Sequence, residues 1–339
     1  MRILNLMMGK SRGGLEAMAV RYHEALQAAG FDVLSAGHPH GMLAGLSDFR
    51  PLTTSFSQDP FSALKLKAIA KRFRPDLVIV HGNRALFVAT HPWAGLADKT
   101  LAVVHNFRAK ATLAKVHAAL CVSPAVKQDV EQTYPALATH LMENFLPLAV
   151  RPVKAPPEGT PVVGALGRLH VNKGFDILLQ AAALLRERGL PVKKLQIAGD
   201  GPEEDTLKTL AARLGLGTED LEFTGWVTGP ADYLAKLDLF VLPSRVEPFG
   251  LVVVEAMAAG VPVISSDIDG PRTILKSGEL GVMVPPEDPS ALADAIAAAL
   301  ANWPATLERA RKAQVQALEI YDQAAGQRRL TALLQELRP

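Results

Sequence analysis

One cysteine in 339 residues, Cys121, leaves the chain without any internal disulfide. It sits in the apolar run ALCVS, so a buried, inert thiol is expected, and such usage fits a reducing compartment. Aromatic residues are scarce, at 6%, and the net charge is only +2. That pairing argues against a nucleic-acid surface, which needs a strong basic excess interleaved with aromatics. No run of about eighteen uncharged apolar residues exists. LVVVEAMAAGVPVI is broken by Glu255 and Pro262, and the opening MRILNLMMG by Asn5. Neither a spanning helix nor a secretory leader is expected, and a cytoplasmic location follows. Neither glycine turn, GKSRGG nor GALGR, spells G-x-G-x-x-G, which disfavours a dinucleotide-dependent dehydrogenase.

What is present reads as two α/β domains. The length suits two hydrophobic cores, and 49% of residues are hydrophobic. RILNLMM, FDVLSAG, DLVIVHG and TLAVVHNFR read as strands interleaved with helical segments. PVVGALGRL, LQIAGDG, LEFTGWV, FVLPS and VPVIS repeat that alternation further along. Such spacing implies parallel sheets. Residues 38–60 read as irregular. Residues 147–161 hold five prolines and read as a linker with few contacts. Charge is uneven: residues 1–150 carry 16 Lys and Arg against 10 Asp and Glu, the remainder 20 against 24. Within residues 62–75, Lys65, Lys67, Lys71, Arg72 and Arg74 share a helix with Leu64, Leu66, Ile69 and Phe73. That is either a solvated helix on its own sheet or a surface for anionic lipid at the membrane's inner face.

The chain is organised around residues 240–266, a strand, loop, helix and strand. The loop delivers Glu247 and the free amides of Phe249, Gly250 and Leu251 to one helix start, where oxygen-rich or anionic ligands are favoured. Glu255 follows eight residues later, near the face Glu247 would occupy on a backward-extended helix. Either glutamate alone could simply complement the helix dipole. Arg168 and Lys173 follow a strand and could neutralise a diphosphate, or be merely solvated. Gly13 and Gly14 allow backbone to approach a phosphate, or ease a tight turn. His81 and His105 end strands, where a doubly wound sheet places its ligands. His23, His117 and His140 look like ordinary helix or surface residues. Asp267-Ile268-Asp269 is a literal D-x-D in an extended segment, a weak hook for a metal.

GRLHVNKGFDILLQA, LQIAGDGPEE, LEFTGWV and FVLPSRVEPFGLVVVEAMAAGVPVISSDIDGP occur in that order. Together they resemble the donor domain of a retaining glycosyltransferase of family 4. The resemblance implies an α/β protein of GT-B fold, two facing Rossmann-like domains with a cleft between them. Residues 1–150 would receive the acceptor and 151–320 the nucleotide-diphosphate sugar, with the tail, 321–339, returning to brace the first domain. It implies a hexosyltransferase-type enzyme with no metal or other cofactor. It would pass a sugar to a glycan or lipid-linked acceptor in envelope polysaccharide or lipopolysaccharide synthesis. By residue, it implies Glu247 and the amides of Phe249, Gly250 and Leu251 on the sugar hydroxyls, and Glu255 on the ribose. Arg168 and Lys173 would hold the diphosphate, with Gly14 at its distal phosphate, Gly13 beside it among the donor-binding residues, and His105 beside the transferred sugar. Asp200 is counted among the donor-binding residues, and residues 224–227, ending in Val227, would shape the base pocket. Thr273 stands where relatives carry a glutamate. A GT-B epimerase, which needs no acceptor, and a non-catalytic sugar-nucleotide-binding protein remain as alternatives.

Overall fold

Apolar runs such as LVIVH and LFVL are buried along their whole length, as strands of a parallel sheet covered on both faces must be. The computed structural model describes residues 1–11, 13–54, 59–107, 110–190 and 194–337. The chain divides into two units, Met1–Pro147 with Ile320–Pro339, and Leu148–Glu319.

The N-terminal unit contains seven strands: β1 (Arg2–Met7), β2 (Asp32–Gly37), β3 (Phe49–Pro51), β4 (Leu77–His81), β5 (Thr100–Val104), β6 (Ala118–Cys121) and β7 (Ala138–Leu141). Their spatial order is β3-β2-β1-β4-β5-β6-β7, and neighbours pair in parallel. Chain direction across the sheet reverses between β1 and β4, where Met7 is in register with His81. A crevice opens outside the carboxyl ends of strands at such a reversal. The helices are α1 (Gly14–Ala28), α2 (Pro60–Phe73), α3 (Asn83–Thr90) and α4 (Pro124–Thr133). Asp59 caps α2 by accepting from the Phe61 amide at 3.0 Å, with Pro60 at the first helical position. Ser123 caps α4 in the same way.

The C-terminal unit repeats the plan with β8 (Val162–Leu166), β9 (Lys194–Ala198), β10 (Leu221–Gly225), β11 (Leu239–Leu242), β12 (Val263–Ser266) and β13 (Val282–Val284), in the order β10-β9-β8-β11-β12-β13. Its reversal falls between β8 and β11. The helices are α5 (Phe175–Glu187), α6 (Glu204–Arg213), α7 (Pro230–Leu234), α8 (Leu251–Ala258), α9 (Asp269–Ile274), α10 (Pro289–Ala301) and α11 (Trp303–Tyr321). A last helix, α12 (Gln323–Glu336), packs against α1 in the N-terminal unit. There the Leu146 amide donates to the Tyr321 carbonyl at 3.0 Å. Gly326 lies so close to Phe145 that a Cβ would fall 2.0 Å from its ring. The tail's last two residues lie outside the described ones.

Two sequence expectations need correction. Residues 38–60 are not wholly irregular, because FRP adds β3 as a three-residue edge strand, too short for an alternation to show. The proline-rich linker is not poor in contacts. The Arg151 amide donates to the Ala258 carbonyl and Lys154 Nζ to the Leu237 carbonyl at 3.0 Å. Gly260 leaves room for Val153. Prolines removed backbone donors there without removing the side chains' reach. His23 is a helix residue, one of the two expected alternatives, and is buried on α1 with Nδ1 2.9 Å from the Ser35 hydroxyl. Cys121 is buried as expected, and burial pushes its thiol up to about 12.

Candidate active-site residues

In the C-terminal unit the candidates collect at the ends of β8 and β11, on either side of the reversal. After β8 the Leu169 amide donates to the Asp200 carbonyl at 2.7 Å, stitching the Arg168 turn to the Asp200 turn. Arg168 is exposed and has no ion-pair partner among the described residues. Next comes a 3-10 turn, Val171–Lys173, closed by Gly174 at φ +64°, with its Cβ position 2.0 Å from the Pro243 carbonyl. Only glycine tolerates both that dihedral and that approach, and it seats the Lys173 turn against the end of β11.

Arg245 fastens the same contact from the other side. Its guanidinium donates to both Asp176 oxygens at 2.8 and 2.7 Å, to Glu287 at 2.8 Å and to the Val171 carbonyl at 2.9 Å. The hydrogen bonds from Arg245 hold the Asp176 carboxyl below its usual range. Two residues on, Glu247 forms an ion pair with Lys173, a direct side-chain contact between two sequence-predicted residues. The two side chains are only 24% and 13% exposed, so the pair is partly shielded and stronger than one in open water.

Gly250, at φ +108°, turns the chain into α8, which begins at Leu251. Glu247 therefore lies on the loop, and the helix does not extend back to it. The Glu247 carbonyl accepts from the Gly270 amide at 3.1 Å. Glu255 is half-buried on α8, and Phe249 is buried. Near the end of β10 the Thr224 hydroxyl is buried without a hydrogen-bond partner among the described residues, and so is that of Ser244, just after β11. Val227 is half-buried beside the exposed Trp226.

The D-x-D reading fails on geometry. Asp269 begins α9, so the segment is not extended, and Arg272 takes both carboxylates, Asp267 at 2.6 Å and Asp269 at 3.7 Å. Thr273 donates to the Asp269 carbonyl at 3.1 Å.

In the N-terminal unit, Gly13 and Gly14 form the start of α1. Glu16, in its first turn, accepts from Ser11. His81 Nδ1 and His105 Nε2 are 3.3 Å apart, and Tyr22 meets His81 edge-on with ring centroids 4.9 Å apart. Burial pushes His105 down to about 4; it pushes His81 well below its ordinary value too, with help from His105. Both rings are neutral at pH 7, so one must donate to the other. His81 Nε2 is buried without a partner among the described residues. A proton there would be an orphan donor, which places it on Nδ1 and leaves His105 Nε2 as the acceptor. His105 lines a cavity of about 110 Å³ with Asn83 and Lys110. His81 lines a larger one, about 900 Å³, with Lys10, Arg84 and Phe87.

Residues 149–317 match the family Glycosyl transferases group 1, and residues 12–148 match Glycosyltransferase Family 4. The lipopolysaccharide core biosynthesis glycosyltransferase LpsE of Rhizobium meliloti (strain 1021) is 31% identical over 243 residues. That covers 69% of this chain and 68% of LpsE. The chain belongs to glycosyltransferase family 4. A second relative of this glycosyltransferase is the phosphatidyl-myo-inositol mannosyltransferase of Mycobacterium leprae (strain TN), 40% identical over 161 residues. It covers 46% of this chain and 41% of that protein. Among solved structures, Anabaena HepE in complex with UDP and glucose superposes with a TM-score of 0.84 at 21% identity, over 99% of this chain and 100% of that one. The fold is GT-B.

Sequence reasoning passed over Arg245, although it stands two residues before Glu247. A lone arginine carries no motif, and its three partners come from three separate segments. The cations Lys10, Arg84 and Lys110 were missed for the same reason. No helix among the described residues is long and apolar enough to cross a membrane.

Proposed function

We propose that this glycosyltransferase moves a sugar from a nucleotide-diphosphate donor to a glycan or lipid-linked acceptor with retention of anomeric configuration and without a bound metal. The observation that carries the reading is the meeting of Lys173 and Glu247 at the β8/β11 reversal, with Arg168 one turn away in sequence. A cation and a carboxylate held together there suit the two halves of one donor, the diphosphate and the sugar hydroxyls. Glu255 and residues 224–227 take the ribose and base, and the amides of Phe249, Gly250 and Leu251 assist Glu247 with the sugar. Asp200 borders the Arg168 turn and belongs to the same set. The N-terminal unit supplies Gly13 and Gly14 to the distal phosphate and His105, as a neutral imidazole, to the sugar. HepE, solved with UDP and glucose, supports a nucleotide-sugar donor.

In this reaction the acceptor hydroxyl attacks C1 on the face the diphosphate leaves. The C1–O bond to phosphate breaks as the new C1–O bond forms, and the hydroxyl proton passes to the departing phosphate oxygen. Arg168 and Lys173 stabilise the charge that develops on that oxygen. The kinship with LpsE supports a place in lipopolysaccharide or other envelope glycan synthesis. Peripheral contact with an anionic membrane is part of the same reading, because Phe61 and Leu64 are exposed on α2 beside its lysines.

Replacing Arg168 or Lys173 by alanine tests the diphosphate assignment. Turnover should fall about 100-fold, the size of one lost transition-state donor, while donor affinity changes far less. Unchanged turnover in both variants would sink it.

A further inference from the structure

The larger N-terminal cavity, about 900 Å³, lies at the carboxyl ends of β1 and β4 and is lined by residues of that unit. Three of those residues are cations on three different segments: Lys10 after β1, Arg84 in the first turn of α3, and Lys110 after β5. All three are exposed, and among the described residues none is ion-paired. Among the described residues Arg84 donates only to the Met8 carbonyl, at 3.4 Å.

Charge of the other sign is meagre. Glu16 is the one carboxylate among the lining residues, and it is buried and already accepts from Ser11. The surplus is felt nearby. His38 is pushed down first by burial and then by Lys10, His40 and Arg84. A concave wall carrying several uncompensated like charges concentrates the field within it and draws in ions of the opposite sign. Lysine and arginine are donors only. A neutral glycan, whose hydroxyls both donate and accept, would leave half its capacity unmatched against such a set. A phosphate or carboxylate accepts only and matches it fully.

We infer that the acceptor received in this cavity is anionic, bearing a phosphate or carboxylate held by Lys10, Arg84 and Lys110. The inference rests on the proposed role of the N-terminal unit as the acceptor-binding one. Leu15 and Phe87, on the same walls, then face the apolar patches of the sugar ring or lipid that bears the anion.

The experiment uses the full chain with Arg168 and Lys173 both replaced by alanine, which removes the cations assigned to the donor. Glucose 6-phosphate, glucuronate and glucose are titrated by calorimetry, with and without the further changes K10A, R84A and K110A. At least one of the two anions should bind, glucose should not, and the triple change should weaken that binding at least 10-fold. The anion that binds more tightly identifies phosphate or carboxylate as the group recognised. The charge-conserving K10R/R84K/K110R variant should retain binding, which separates lost charge from lost fold. Anion binding indifferent to the triple change would overturn the inference. So would a parallel loss of UDP affinity when the triple change is made in the otherwise wild-type chain, because the cations would then serve the donor. Absence of sugar transfer alongside cation-dependent anion binding would count against the transferase reading alone.

Discussion

Lys173 and Glu247 satisfy each other in a pair that water reaches only in part, so each is held where a ligand would need it. A diphosphate can add to Lys173 without displacing the carboxylate, because an ammonium has three donors. His105 makes a different contribution. Its pKa of about 4 lies below the ordinary 6.5, so between those values the unfolded chain binds more protons than the folded one. Stability from this group is complete above about pH 6.5 and is lost as pH falls towards 4, by about 3 kcal/mol in full. His81 acts in the same direction. Urea unfolding from pH 7.5 to 4.5 should show that loss, and an H105N variant should show a shallower one. Equal slopes would mean that His105 is not held neutral. The same neutrality predicts no loss of turnover from His105 between pH 8 and pH 5.5.

At the scale of elements, the site depends on how firmly the Val171–Lys173 turn is held to the end of β11. Arg245 does this through Asp176, Glu287 and the Val171 carbonyl. Its alanine variant should weaken donor binding about 10-fold and lower the melting temperature by several degrees, because a bidentate ion pair and two further bonds are lost. R245K should recover little, since an ammonium cannot span two carboxylate oxygens in a fork. Full recovery by lysine would show that charge alone matters.

The strands and most helices of both units were legible because buried parallel strands read as continuous apolar runs between glycine-rich turns. Glu247, Lys173 and Arg168 were legible because each immediately follows such a strand. β3, β7 and α3 were not: FRP and ATHL hold no continuous apolar run, and NRALFVAT has no side-chain cap to mark its start. Arg245 and the Lys10, Arg84 and Lys110 set were not legible either. Their meaning comes from convergence of distant segments, which spacing along the chain does not encode. The D-x-D misled because two aspartates at that spacing look the same whether extended or at a helix start.

At the scale of the whole molecule, the sheet order places a reversal in each unit, and every candidate residue except Glu255 ends a strand, follows a strand end within a few positions or starts the next helix. The positive excess belongs to residues 1–150 and the negative to the rest. On α2, Lys65, Lys67, Lys71 and Arg72 are exposed with Phe61 and Leu64, and the Trp93 ring lies 6.3 Å from that of Phe61. Surface lysines contribute about 1 kcal/mol each at an anionic membrane. Sedimentation with phosphatidylglycerol vesicles should therefore capture the protein and a K65E/K67E/K71E/R72E variant far less. Equal capture by phosphatidylcholine would remove the electrostatic part of that account.

Transfer with retention leaves its mark in the anomeric configuration of the product. The protein is incubated with a panel of nucleotide-diphosphate sugars and lipopolysaccharide-core oligosaccharides, and the product is read by mass spectrometry and the anomeric proton coupling. A retaining enzyme yields a lengthened acceptor whose new linkage has the configuration of the donor. An inverted linkage, or donor converted to another sugar nucleotide with no acceptor lengthened, would contradict transfer with retention.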